Sequence, residues 1–173
     1  MGGFTLPVLP MPVLDLGPTA PLLMALAALL CVVVAAGWDM AKFEIPDTVS
    51  VLLLVLAAAY GLLTPGFGWL SHLLAPLGFF ALGLLLFARG WLGGGDIKLM
   101  TALAAWTGLS GLLPLLLGIS IAGGVLALVL IIARRVNAGR SGMRLLAVDA
   151  PLPYAVAILA GVLWWASLAW PIR

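Results

Sequence analysis

Charged side chains are scarce in this sequence. Lys, Arg, Asp and Glu make up 8% of its 173 residues, hydrophobic residues make up 65%, and the mean hydropathy is +1.28. Because a soluble domain carries about 25% charged residues, the composition excludes that class and predicts an integral membrane protein. A helix that crosses a bilayer needs about 20 residues, so the length allows about six crossings and little besides. We expect a single domain over residues 1–173.

Side chains that bind metals or form cross-links are equally rare. The chain has one cysteine, Cys31, and one histidine, His72. A single cysteine forms neither an internal disulfide nor a CxxC metal site, so we interpret Cys31 as a small apolar residue. His72 has no His or Cys partner and is interpreted as an interfacial or packed histidine. We expect no metal, no cofactor and no nucleic-acid partner. Residues 1–18 lack a basic region, so we expect no secretory signal there.

Apolar segments separated by polar or glycine- and proline-containing breaks predict an all-α, polytopic membrane protein with about six transmembrane helices. Residues 97–133 are apolar for longer than the usual limit of about 25 residues per crossing, and the sequence GLSG at 108–111 offers a break. The predicted spans cover approximately residues 20–38, 48–63, 70–88, 97–106, 112–133 and 152–170. Pro46 predicts an extended approach to the second span, which Asp47 or Thr48 could cap.

The basic residues are distributed unevenly among the predicted loops. Seven of the eight fall in or beside the loops after spans 1, 3 and 5: Lys42, Arg89, Lys98, Arg134, Arg135, Arg140 and Arg144. Cytoplasmic loops of membrane proteins carry an excess of Lys and Arg. The distribution therefore predicts that these three loops face the cytoplasm. It also favours two crossings between residues 97 and 133, because a single crossing would export the Arg-rich loop.

Two aspartates, Asp39 and Asp96, stand at the ends of predicted spans. Ionisable groups in apolar surroundings are costly and are by default functional. Two crossings separate them, so both emerge on the same side of the membrane. Two carboxyl groups that share a site cannot both ionise easily, and such a pair can activate water while protonating a scissile amide. The three glycines before Asp96 predict backbone with positive φ and close packing against another helix.

The pattern of acidic residues leaves other interpretations open. The two aspartates could be juxtamembrane charges or helix caps. They could instead hold Mg²⁺ in an enzyme that acts on a lipid phosphate. A third possibility is a proton-coupled membrane carrier without enzymatic activity.

Three segments resemble motifs of the type IV prepilin peptidases. Residues 39–47 read DMAKFEIPD, which resembles the first motif: an aspartate, five residues, and then Ile45-Pro46-Asp47. Residues 93–100 read GGGDIKLM, which resembles the GxGD motif with its glycines at Gly93 and Gly95. The pair Pro153-Tyr154 is similar to the opening of the last helix in small members of this family.

This resemblance implies a membrane-embedded aspartic endopeptidase of the bacterial inner membrane. It would remove the basic leader from prepilins at the cytoplasmic face, cutting after a glycine, with Asp39 and Asp96 as the catalytic pair. Supporting positions in the motifs are Pro46, Gly93, Gly95 and Lys98. Larger members carry a zinc-binding insert with paired CxxC motifs and also methylate the pilin. A chain with one cysteine resembles the short form associated with Flp or Tad pili, without methyltransferase activity.

Overall fold

The computed structural model describes residues 19–136 and 150–169, and within these ranges every regular element is an α-helix. The helices are α1 (Thr19–Lys42), α2 (Asp47–Leu63), α3 (Trp69–Ala88), α4 (Gly94–Val136) and α5 (Tyr154–Ala169). The predicted all-α class is confirmed. Of the described helices, α1, α3 and α4 are long and apolar enough to cross a membrane, while α2 and α5 are shorter apolar helices of 17 and 16 residues. Helix length by itself therefore does not confirm the predicted six crossings.

The connection between α1 and α2 is a tight corner. Phe43 has a left-handed φ of 57°, and its N–H donates to the carbonyl of Asp39 at 2.8 Å, which ends α1. Pro46 then takes the predicted extended conformation, with φ −63° and ψ 131°. The prediction that Asp47 or Thr48 caps α2 was wrong. Pro46 occupies the cap position, no side chain caps the helix, and Asp47 is its first residue.

Helix α4 spans 43 residues but is interrupted at Gly108, where φ is 62° and ψ is −174°. Only glycine adopts this region without a large steric cost, so the predicted break is confirmed. The first turn of α3 satisfies the backbone groups that the break exposes. The N–H of Leu109 donates to Oγ of Ser71 at 2.9 Å, and Nδ1 of His72 donates to the carbonyl of Ala105 at 2.8 Å. His72 is thus a packed histidine, as predicted.

The two halves of α4 run in opposite directions along the bundle. The first half leads from the α1–α2 corner to the first turn of α3, where the break lies. The second half returns antiparallel to α5, since Gly111 lies against Trp165 near the end of α5 and Gly123 lies against Tyr154 at its start. Glycine at these positions lets the two helices approach closely.

Both ends of α4 consequently lie at one end of the bundle. At its beginning, a Cβ placed on Gly95 would stand 3.1 Å from Cβ of Ile45 in the α1–α2 corner. At its end, Nη2 of Arg134 donates to the carbonyl of Pro151, just before α5, at 3.2 Å. The ends of α1 and α3 and the beginnings of α2, α4 and α5 therefore meet in one region.

Candidate active site

Asp39 and Asp96 line one cavity of about 730 Å³ at this end of the bundle. Three connecting segments complete its walls: residues 43–47 between α1 and α2, residues 90–95 between α3 and α4, and residues 151–152 before α5. The structure thus brings together two residues that lie 57 positions apart in the sequence. Their common cavity agrees with the prediction that both emerge on the same side.

Asp39 lies in the last turn of α1 and is 6% exposed. Its Oδ2 accepts a hydrogen bond of 2.8 Å from the backbone N–H of Ala155, the second residue of α5. The first N–H groups of a helix have no partner within the helix, and the positive end of the helix dipole favours a negative charge there. Burial disfavours the ionised form of Asp39, and the beginning of α5 orients its carboxylate and partly offsets that cost.

Sequence reasoning missed Ala155 because its contribution comes from a backbone N–H. An alanine carries no side-chain signal for such a role. The available signal was indirect: Pro153-Tyr154 marked the start of the last helix, and the residues after a helix start have free N–H groups.

Asp96 is the third residue of α4 and is half-buried. Its carboxylate folds back onto the backbone amide of Gly93, the residue before the helix, so that a Cβ on Gly93 would stand 2.9 Å from Oδ2 of Asp96. This arrangement matches the backward hydrogen bond of a capping box. The carboxyl group lies within electrostatic range of Asp39 and of the Tyr154 hydroxyl. Two acids within electrostatic range of each other do not both ionise easily.

The glycines before Asp96 serve close packing, and the prediction of positive φ there was wrong. Among the described residues, the glycines with positive φ are Gly66, Gly90 and Gly108. Close approach does hold at Gly95, although its neighbour is Ile45 in the α1–α2 corner and not another helix.

Lys98 forms an ion pair with Asp47, which lines the cavity. Its Nζ lies 2.8 Å from Oδ1 and 2.7 Å from Oδ2 of Asp47. The lysine is in the first turn of α4 and the aspartate begins α2, so the pair joins two helix starts. Pro46, directly before this aspartate, directs the chain into α2.

The described residues contain no group of three or more His, Cys, Asp or Glu side chains arranged to hold a metal ion. The basic residues Arg140 and Arg144, used in the topology prediction, lie outside the described residues.

The sequence model of the type IV leader peptidase family matches residues 24–128, which is more than half of the chain and includes Asp39 and Asp96. No curated protein and no solved structure matches the chain. The family match confirms the resemblance drawn from the two motifs. The chain belongs to the type IV leader peptidase family.

Proposed function

We propose that this protein is an aspartic endopeptidase that removes the leader peptide from Flp- or Tad-type prepilins, cutting after a glycine. The family supports the leader-peptidase activity. The observation that carries the assignment of residues is the shared cavity, into which Asp39 and Asp96 come from different helices within the matched region. The short form is supported by the single cysteine and by the tight corner between α1 and α2, which holds no insert.

The surroundings of the two aspartates favour different roles. Asp39 accepts a hydrogen bond from the start of α5, so it is the ionised partner and removes a proton from the attacking water. Asp96 faces that negative charge and retains the shared proton. It donates this proton to the nitrogen of the leaving group as the amide bond breaks, and the proton that Asp39 took from water passes to Asp96 when the products leave.

We also propose that the chain is a single domain with six membrane crossings, and that its cavity faces the cytoplasm at the bacterial inner membrane. Support comes from the opposite directions of the two halves of α4, an arrangement that two crossings by this helix would require. The described basic residues at helix ends support the orientation, since Lys42, Arg89, Arg134 and Arg135 all lie at the cavity end. A prepilin would then hold its apolar stem in the bilayer and present its leader to the cavity.

The test is cleavage of a prepilin by Asp39→Asn and Asp96→Asn variants. Asparagine keeps the shape of aspartate but cannot exchange the proton, so each variant should lose detectable cleavage while remaining inserted and abundant. Because the pair acts as a unit, the double variant should be no worse than either single one. The ratio of processed to unprocessed pilin is measured in membranes with matched enzyme levels.

The matched control is Asp149→Asn, the same chemical change in a segment outside the described residues, and it should retain cleavage. Normal cleavage by both Asp39→Asn and Asp96→Asn would refute the peptidase proposal. An EDTA arm tests the magnesium alternative. Cleavage in detergent should survive the chelator, whereas loss of cleavage that Mg²⁺ restores would favour a metal enzyme.

A further inference from the structure

Lys98 and Asp47 are the residues from which a second role in the site can be argued. Both oxygens of the aspartate contact the lysine ammonium, at 2.8 and 2.7 Å, and the side chains are 49% and 67% exposed. We propose that this ion pair is a clamp that sets the spacing of Asp39 and Asp96, which makes Lys98 and Asp47 positioning residues. The proposal rests on the proposed function of the two aspartates.

A continuous series of contacts connects the clamp to both aspartates. In the α1–α2 corner, the N–H of Phe43 donates to the carbonyl of Asp39, and the chain reaches Asp47 four residues later. On the other side, Lys98 follows Asp96 by two residues in the same helical turn. The ion pair therefore ties the corner that carries one aspartate to the helix that carries the other.

The clamp stands close to another contact between the corner and α4. A Cβ on Gly95 would stand 3.1 Å from Cβ of Ile45, so the corner packs against the beginning of α4 there. Asp47 follows Ile45 by two residues, and Lys98 follows Gly95 by three. The ion pair therefore adds a polar contact beside this apolar one and restrains the corner against movement relative to the helix.

The clamp also neutralises charge where acidic groups gather. Four carboxyl groups of the described residues line the cavity, those of Asp39, Glu44, Asp47 and Asp96. Two other cations at this end of the bundle stand over aromatic rings: Lys42 over Trp38, 4.3 Å from the ring centroid, and Arg89 over Trp91, at 5.9 Å. Removal of the Lys98 charge would therefore take away the ion-pair partner of Asp47 in a cavity lined by three further carboxyl groups.

The expected effects on stability and on turnover distinguish a positioning role from a structural one. Exposed ion pairs contribute little to protein stability, so loss of this pair should leave the protein folded and inserted. A catalytic group that moves by about 1 Å can lose about 100-fold in rate. The clamp should therefore influence turnover much more than it influences stability.

The experiment compares kcat and KM for prepilin cleavage by the full chain in lipid vesicles. Lys98→Met and Asp47→Asn should each lower kcat about tenfold and leave KM unchanged, because the geometry of the pair is disturbed and the substrate contacts are not. The double variant should match the single ones, since the two residues act through one interaction. The charge-swapped variant, Asp47→Lys with Lys98→Asp, should recover to within about threefold of the original kcat.

Lys98→Arg serves as the second variant, in case the swapped pair fails to insert. Arginine also pairs with both oxygens of a carboxylate and should retain a near-normal kcat. Raised KM in the single variants, or losses that multiply in the double variant, would overturn the clamp and indicate direct contact with substrate. So would a swapped or Arg variant that is inserted but as slow as Lys98→Met. Asp39→Asn is assayed in parallel. Normal cleavage by this variant would refute the catalytic role of Asp39 on which the clamp rests, whereas an inactive Asp39→Asn variant together with no rescue by the swap would refute the clamp alone.

Discussion

The three consecutive glycines before Asp96 occupy different surroundings. A Cβ on Gly93 would stand 2.9 Å from Oδ2 of Asp96, and one on Gly95 would stand 3.1 Å from Cβ of Ile45. A Cβ on Gly94 would meet Cε2 of Phe87 at 3.6 Å, an ordinary van der Waals distance. The first and third glycines of the motif are therefore required for space, one beside the carboxylate and one beside the α1–α2 corner, while the middle position has room for a side chain.

Alanine at each glycine tests this interpretation. Gly93→Ala should displace the Asp96 carboxylate and Gly95→Ala should push Ile45 and its corner outward, so each should lower kcat for leader cleavage about tenfold or more. Gly94→Ala is the matched control and should cleave normally. The initial rate is measured on purified enzyme at equal protein concentration. Equal cleavage rates for the three variants would show that crowding does not explain the glycines of the motif.

Sequence reasoning could identify the two aspartates because carboxyl groups are conspicuous in an apolar chain and the number of crossings between them is even. It could not identify which residues the side chains of the two motifs contact. The Lys98–Asp47 pair joins residues 51 positions apart, and nothing in either motif indicates which carboxylate the lysine contacts. The glycines were recognised correctly as sites of close packing, but the neighbour of Gly95 depends on how the α1–α2 corner folds.

At the level of elements, the start of α5 is the part of the site with the least visible sequence signal. The N–H of Ala155 donates to Asp39, while Tyr154 lies within electrostatic range of Asp96 and packs on Gly123. One helical turn is thus associated with both aspartates. The last helix is therefore an active component of the site, although it contributes no acidic residue.

Replacing one backbone N–H tests that role of α5. Proline is tolerated in the first turn of a helix, so Ala155→Pro removes the donor to Asp39 while the helix can persist. Hydrogen bonds to charged groups contribute about 1.5–3 kcal/mol, which corresponds to a loss of roughly 10- to 150-fold in cleavage rate. Ala155→Gly keeps the N–H and should stay within a few-fold of the original rate. The proposed contact would be contradicted if the proline variant cleaved as fast as the glycine variant at matched protein levels.

The break in α4 shows how far an element can be predicted. The apolar run is too long for one crossing, and GLSG supplies the residues for a break, so its position at Gly108 followed from length and composition. Its partners, Ser71 and His72, did not follow, because they belong to another helix. His72 was interpreted as an interfacial or packed histidine, but the sequence does not indicate which group it contacts. The predicted cap of α2 was wrong for a related reason. The side chain of Asp47 pairs with Lys98, a residue that is distant in the sequence.

On the scale of the whole molecule, the polar groups concentrate at one end and the apolar groups face outward. Large apolar side chains such as Leu62, Leu70 and Leu77 are exposed along the helices. In water such a surface would be unfavourable, whereas hydrocarbon accepts it at no cost. The interior is built from small residues, such as Ala35, Ala102 and Ala155, which allow the helices to approach closely. The fold therefore places a charged cavity at one end of an otherwise apolar body.

Six crossings make a specific prediction about which side of the membrane each end of α4 faces. Single cysteines are introduced into a Cys31→Ala background at Trp91 and Val136, which are 71% and 70% exposed, and at Leu109 beside the break. A membrane-impermeant maleimide should label Leu109→Cys in intact cells, and Trp91→Cys and Val136→Cys only in inverted vesicles. A single crossing by α4 would place Trp91 and Val136 on opposite sides. Labelling of these two positions from opposite sides would therefore refute the two crossings by α4. Because Gly93 to Asp96 follow Trp91 directly, the same labels report which side of the membrane the cavity faces.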